Sequence, residues 1–318
     1  MRVLLTGRDG QLGQALTASI PDRVTLIATR RAELDLADPE ACRRAVHTHQ
    51  PDWVLNAGAY TAVDRAESEP DLAMAVNAGA PAAFVEALAA GGGRLLQVST
   101  DFVFDGSQGS PYLPDTVIHP LGAYGLTKAE GERAALALPG ARVLRTSWVY
   151  GPVGRNFCLT MLRLHASKAA AGEELAVVAD QVGCPTATHT LAAACWRAIG
   201  ADSAVGSNNA SANATGNNAA GNDPAAIEGP RILHWSDAGA ASWYDFAVAI
   251  GELGVACGLL ERAAPVRPIT TADYPTPAQR PAYSLLACEA SRRQLGLEPL
   301  HWRTALAQVL GRVAPQGP

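Results

Sequence analysis

A tyrosine and a lysine stand four residues apart in Tyr124-Gly-Leu-Thr-Lys128. The stretch Tyr124–Leu138 reads as a helix ended by Pro139-Gly140, and residues at i and i+4 share one helix face. A phenol of pKa about 10 is a poor acid–base group at neutral pH. An ammonium beside it favours the phenolate and lowers that pKa, which is the tuning a proton donor to a carbonyl needs. Lysine is also a compact donor able to bridge neighbouring hydroxyls, whereas guanidinium is a flat fork. Of the 25 basic residues only Lys128 and Lys168 are lysines, so Lys128 survives a strong arginine bias. An ordinary surface pair is the competing reading. Upstream, Ser99-Thr100-Asp101 brings hydroxyls to the C-terminal end of an expected strand.

The N-terminus carries the second constellation. Strand-like Arg2–Thr6 runs into Gly7-Arg-Asp-Gly10-Gln11-Leu12-Gly13 and then an expected helix over Gln11–Ser19. In such a loop Gly7 makes the tight turn, Gly10 lets a pyrophosphate approach the backbone and Gly13 permits close helix packing. The helix start offers free N–H groups to phosphate. A purely structural turn is the alternative. The second strand, Val24–Ala28, ends in Thr29-Arg30-Arg31 with no acid until Glu33. Arginine there accommodates a 2′-phosphate, which favours NADPH over NADH, with NADH still possible. Solvated arginines are the competing reading. Asp35 and Leu36 are placed to border an adenine.

These residues need elements to hold them. Pro39–His49 and Asp71–Ala90 read as helices, and Asp52–Asn56, Arg94–Ser99 and Ala141–Thr146 as strands. Strands alternating with helices imply a Rossmann-like α/β fold, a doubly wound parallel sheet. Residues 1–150 form the expected dinucleotide-binding domain, with part of 174–235 returning to it. Residues 151–318 form mainly a smaller C-terminal α/β substrate-binding domain. Helices are expected at Phe157–Ala171, Thr188–Ile199, Ser242–Leu253 and His301–Val313, and extended chain at Glu174–Ala179 and Arg231–His234. Within 201–229, Gly206–Asn222 holds only Gly, Ala, Ser, Thr and Asn. Such a run cannot offset its ordering entropy and reads as a flexible insertion.

Composition bounds the rest. The chain has 318 residues, 48% hydrophobic and 17% charged, with a net charge of −5. That excludes a disordered chain and argues against a nucleic-acid partner. Six scattered cysteines without CxxC spacing fit reduced thiols in the cytoplasm. No apolar run of about 18 residues stands out, and MRVLLTGRDG enters a strand instead of a signal peptide, so no membrane partner is expected.

On the glycine loop, Tyr124 and Lys128 the chain resembles the extended short-chain dehydrogenase/reductases, and within them the dTDP-4-dehydrorhamnose reductase branch. The resemblance extends through Asn56-Ala-Gly-Ala-Tyr-Thr-Ala-Val-Asp-Arg-Ala-Glu67, Ser99–Gly106, Arg145-Thr-Ser-Trp-Val-Tyr-Gly151, Asp180–Thr186 and Tyr274–Pro281. It implies NAD(P)H-dependent reduction of the C4 keto group of dTDP-4-dehydro-β-L-rhamnose to dTDP-L-rhamnose, for cell-surface polysaccharide such as lipopolysaccharide O-antigen. Thr100, Tyr124 and Lys128 would be catalytic. Ala57, Ala59 and Tyr60 would line the cofactor, and Thr61, Val63 and Asp101 would face the sugar. Trp148 would stack on the sugar, with core packing the competing reading, and Arg280 would meet the diphosphate.

Some members of the branch dimerise around Mg²⁺ held by glutamates, where this chain has Ala15, His189 and Arg303. Mg²⁺ wants oxygen ligands, so no metal is expected, and the chain should be a monomer or a metal-independent homodimer. Phe102 also replaces a tyrosine common in the branch. Two other readings stand beside the reductase: a nucleotide-sugar 4-epimerase, and a non-catalytic, cofactor-binding regulatory subunit of a methionine adenosyltransferase.

Overall fold

The computed structural model describes residues 1–201 and 230–313, so nearly all of the expected insertion lies outside the described residues. In the first half, β1 (Arg2–Thr6), α1 (Gln11–Ala18), β2 (Thr25–Ala28), α2 (Pro39–His49) and β3 (Trp53–Asn56) follow in turn. Then come α3 (Val63–Ala66), α4 (Pro70–Met74), α5 (Ala80–Gly91), β4 (Arg94–Thr100), α6 (Ala123–Leu136) and β5 (Arg142–Thr146). After β5 the chain forms β6 (Val149–Tyr150), α7 (Phe157–Ala171), β7 (Leu175–Val178), β8 (Val182–Gly183), β9 (Thr186–Ala187) and α8 (Thr188–Ala198). It continues with β10 (Ile232–His234), β11 (Ala241–Ser242), α9 (Trp243–Ala256), β12 (Val266–Ile269), α10 (Glu289–Leu295) and α11 (Trp302–Leu310).

Six parallel strands make the central sheet, in the order β2-β1-β3-β4-β5-β10. Side chains alternate across it, as the period of two demands. Val3, Leu5, Trp53, Leu55, Leu96 and Leu144 meet α1 and α8 on one face. Leu4, Val54, Leu95 and Val143 meet α2, α5 and the end of α6 on the other. A separate core joins α7, α9 and α11 around Phe246, Ile250, Leu162 and Leu306. The connections from β1 to β2 and from β3 to β4 run to opposite sides, so the crevice at the C-terminal ends of β1 and β3 is the switch point where such sheets bind ligands.

The long helix expected over Asp71–Ala90 is interrupted. Between α4 and α5, Ala75–Gly79 forms a π-helical turn, a feature that often marks functional sites. Contrary to the expectation of no apolar run near 18 residues, the run 70–91 is long and apolar enough by composition to cross a membrane, but 44% of its apolar 18-residue window is buried within the protein. Ala80, Ala83, Phe84, Ala87 and Leu88 pack it against the sheet.

Candidate active site

The glycine loop closes the crevice from one side. A Cβ on Gly13 would sit 2.1 Å from the Gly7 carbonyl oxygen, so only glycine lets α1 begin this close to the turn. Gly10 caps α1 without a side-chain hydrogen bond, leaving the helix start open to an anion. Gln11 Oε1 accepts from Asn156 Nδ2 at 2.7 Å, tying α1 to the start of α7. Leu12 is 7% exposed and packs into the core. At the end of β2, Arg30 Nε lies 3.5 Å from the Asp9 carboxylate of the same loop. Asp35 accepts from Ala37 N in a local turn. Leu36 lies under Gly58, where a Cβ would come within 2.6 Å of its Cδ1.

A buried row of hydrogen bonds crosses the strand ends. Gly58 N donates to Thr6 Oγ1 at 3.0 Å, and Thr6 Oγ1 donates to Asn56 Oδ1 at 2.6 Å. Asn56 Nδ2 donates to Gln97 Oε1 at 2.7 Å, and Gln97 Nε2 to Val98 O at 2.9 Å. Lys128 Nζ completes the row by donating to the same Val98 carbonyl at 2.6 Å. The loop that follows β3 and the lysine of α6 are thereby fixed by one network. Satisfied polar networks of this kind specify a single arrangement.

Around Lys128 the other expected residues assemble. Thr100 Oγ1 donates to Asp101 Oδ1 at 2.9 Å and accepts from Phe102 N. Thr100 stands near the Tyr124 phenol, and the Phe102 ring meets Tyr124 edge-on at 5.5 Å. Gly125 makes this approach possible, since a Cβ there would fall 2.2 Å from the Phe102 carbonyl oxygen. The expected acidification of Tyr124 is not seen. Burial pushes its phenol up to about 12, outweighing the help from Thr100, with the Asp101 charge adding to the rise. Burial also pushes Lys128 down to about 8 and Asp101 up to about 6. Tyr124 is therefore protonated at neutral pH, the state a proton donor must start from.

Val63 lines a small cleft with Tyr124, Phe102, Ala278 and Pro281. Thr61 is exposed beside it. Tyr60 is held from both ends: Asn77 Oδ1 accepts its N–H at 2.9 Å, and its hydroxyl donates to Glu69 at 2.5 Å. Ala57 and Ala59 are half-buried between these anchors. Arg280 Nη2 pairs with Asp64 Oδ2 at 2.8 Å. It borders a cavity of 480 Å³ together with Trp243, Gln181, Tyr274 and Phe157. Trp148 does not line that cavity. Its ring stacks on Trp243 at 3.6 Å and 6°, so the indole that borders this cavity is Trp243.

Several residues went unnoticed in the sequence. Asn77, in the π turn, grips Tyr60 through both backbone atoms and donates to Thr127 Oγ1 at 3.1 Å. Its signal was a single amide within an alanine-rich run. Glu67 Oε1 accepts from Ala123 N at 2.8 Å and so caps α6. Asp64 lay within the Asn56–Glu67 run but was given no role, and Trp243 gave no local signal, because its stacking partner lies more than ninety positions away in sequence.

A family model for the RmlD substrate binding domain matches residues 1–314. A dTDP-4-dehydrorhamnose reductase from Aggregatibacter actinomycetemcomitans is 38% identical over 311 residues, covering 97% of this chain and 98% of that protein. The chain belongs to the dTDP-4-dehydrorhamnose reductase family. A solved family member from Clostridium acetobutylicum superimposes with a TM-score of 0.81 at 33% identity, covering 98% of each chain. One from Bacillus anthracis, in complex with NADP, gives 0.80 at 29% identity over 97% of this chain and 98% of that one. A UDP-glucose 4-epimerase from Thermus thermophilus, at 18% identity and TM-score 0.73 over 98% of each chain, shares the fold.

Proposed function

We propose that this chain is a reductase that converts the C4 keto group of dTDP-4-dehydro-β-L-rhamnose to the alcohol of dTDP-L-rhamnose, preferring NADPH and accepting NADH. The observation that carries this reading is the meeting of Tyr124, Thr100 and Lys128 at the end of β4, joined by a buried hydrogen-bonded row to the loop after β3. The glycine cradle and the uncapped start of α1 fit a dinucleotide. When bound, the dihydronicotinamide supplies the hydride.

The remaining chemistry belongs to the chain. Tyr124 gives its proton to the developing C4 alkoxide, and its burial keeps that proton in place until negative charge forms. Thr100, now directed at Asp101, turns to share the keto oxygen. Lys128 holds ribose hydroxyls and offers a positive charge to the phenolate left behind. Arg30 reads the 2′-phosphate after giving up Asp9. Arg280 is the candidate for the diphosphate, with the nucleotide lying along the 480 Å³ cavity.

We read residues 1–150 with the returning α8 and β10 as the cofactor half and most of 151–318 as the substrate half, a division supported by the separate cores. A Mg²⁺ bridge has no place in this reading. Ala15 offers no oxygen, His189 is bonded to Gln308 and Arg303 to Glu252. The chain then acts as a monomer or a metal-independent homodimer in the cytoplasm, with no membrane or nucleic-acid partner.

The test supplies purified protein with dTDP-4-dehydrorhamnose made in situ and follows loss of reduced-cofactor absorbance. Oxidation of NADPH is expected, and Tyr124→Phe should cut turnover by ~10²-fold or more while cofactor binding persists. Firmly retained NAD with no net oxidation would favour the 4-epimerase. No oxidation together with a stoichiometric synthetase partner would favour the regulatory subunit.

A further inference from the structure

The mechanism leaves one deeply buried ion pair unused. Glu132 and Arg145 are each 3% exposed at their side chains. Arg145 grips the carboxylate through Nε at 2.9 Å and Nη2 at 2.7 Å. Its Nη1 donates to Pro114 O at 3.0 Å and meets His234 Nε2 at 3.3 Å, while its Cζ lies 5.1 Å from the centre of the Phe104 ring. A pair this dry carries a desolvation cost that stability alone seldom explains.

Its placement suggests a use. Glu132 follows Lys128 by four residues on α6, and both side chains are buried. Lys128 takes the carbonyl of Val98 on β4. In the register of β4 with β5, Val98 sits beside Leu144 and Ser99 beside Arg145. The clamp on Glu132 is thus one rung along the sheet from the atom that anchors the lysine. We propose that Glu132, held by Arg145, is a positioning residue whose carboxylate is the counter-charge that keeps the buried Lys128 ammonium charged.

Burial works to strip the Lys128 proton, and Glu132 is the charge that opposes it. Of the other ionisable groups in this region, Tyr124 lies one turn back on α6 and Asp101 on the turn after β4. Arg145 on β5 faces the Glu132 carboxylate. His234 on β10 is itself held neutral by burial and by Arg145. The inference rests on the catalytic assignment of Lys128 for its meaning, but its test does not.

This chain has two lysines, so isotopic labelling of lysine side chains gives two signals, with the more exposed Lys168, paired to Glu173, as internal reference. In Glu132→Gln the Lys128 signal should titrate about one pH unit lower, a tenfold loss of proton affinity, while Lys168 stays put. The alkaline limb of kcat should move with it. Where stranding Arg145 prevents folding, Glu132→Gln with Arg145→Gln replaces the pair by neutral amides, and the shift should keep its direction with smaller size. An unmoved Lys128 titration in whichever variant folds overturns the proposal. Separately, Lys128→Met with full turnover would defeat the catalytic assignment and leave the counter-charge result standing.

Discussion

Arg30 and Asp9 meet at 3.5 Å with side chains 53% and 66% exposed, a pair worth little on its own. That weakness matters for cofactor choice, because a 2′-phosphate offers the guanidinium a stronger, charge-assisted partner. Arg30→Ala should weaken NADPH binding about tenfold, the low end for a bond to a charged group once solvent screening is allowed for. NADH binding should hold. Fluorescence titration of both cofactors decides it, and equal losses would show that Arg30 does not read the phosphate. At this scale the sequence spoke clearly for Tyr124, Lys128 and Thr100, whose types and spacing announce their chemistry. It misjudged the phenol. The i,i+4 lysine was visible in the chain, whereas the burial that raises the phenol depends on segments folded over Tyr124 from elsewhere.

At the scale of elements, the decisive contact is α6 against the Asp101–Val103 turn, with Gly125 at the crossing. An alanine there would also come within 2.9 Å of Pro120 Cβ. Overpacking of this sort costs about 1–3 kcal/mol. Gly125→Ala should lower Tm and kcat together while leaving cofactor affinity near wild type, since the glycine loop is untouched. Unchanged kcat at lowered Tm would show that α6 carries Tyr124 with slack to spare. The strands and helices of the sheet were legible because their apolar periods are strong, and α2 and α7 match the sequence reading at both ends. The two-residue strands β6, β8, β9 and β11 were not, since each exists only by pairing with a distant segment. The π turn was hidden for a related reason: Asn77 is poor helix material until Tyr60 and Thr127 occupy its amide.

Across the whole molecule, acid stability is set by buried groups pulling in opposite directions. Burial, helped by Arg145, pushes His234 down to about 3, and burial lowers His165 and His189 as well. Below about 6.5 the unfolded chain takes up protons that the folded histidines refuse, so stability falls with pH, for His234 until about 3. Burial raises Asp101 and Asp237 to about 6. Between 6 and 3.8 the folded carboxyls bind protons first, so their contribution rises as pH falls. Urea midpoints should therefore fall gently from pH 6 to 4, with three histidines set against two carboxyls, and more steeply below 4, with His234→Gln softening the drop. A midpoint still climbing at pH 3.5 would contradict this balance. The halves of the chain also meet through one uncharged, aromatic contact. Trp148, just past the last strand of the first half, lies flat on Trp243 at the head of α9, and the outer indole borders the large cavity. Two parallel, stacked indoles at that spacing share their electronic excitation, so the protein carries its own optical gauge of whatever slips into the space beside them.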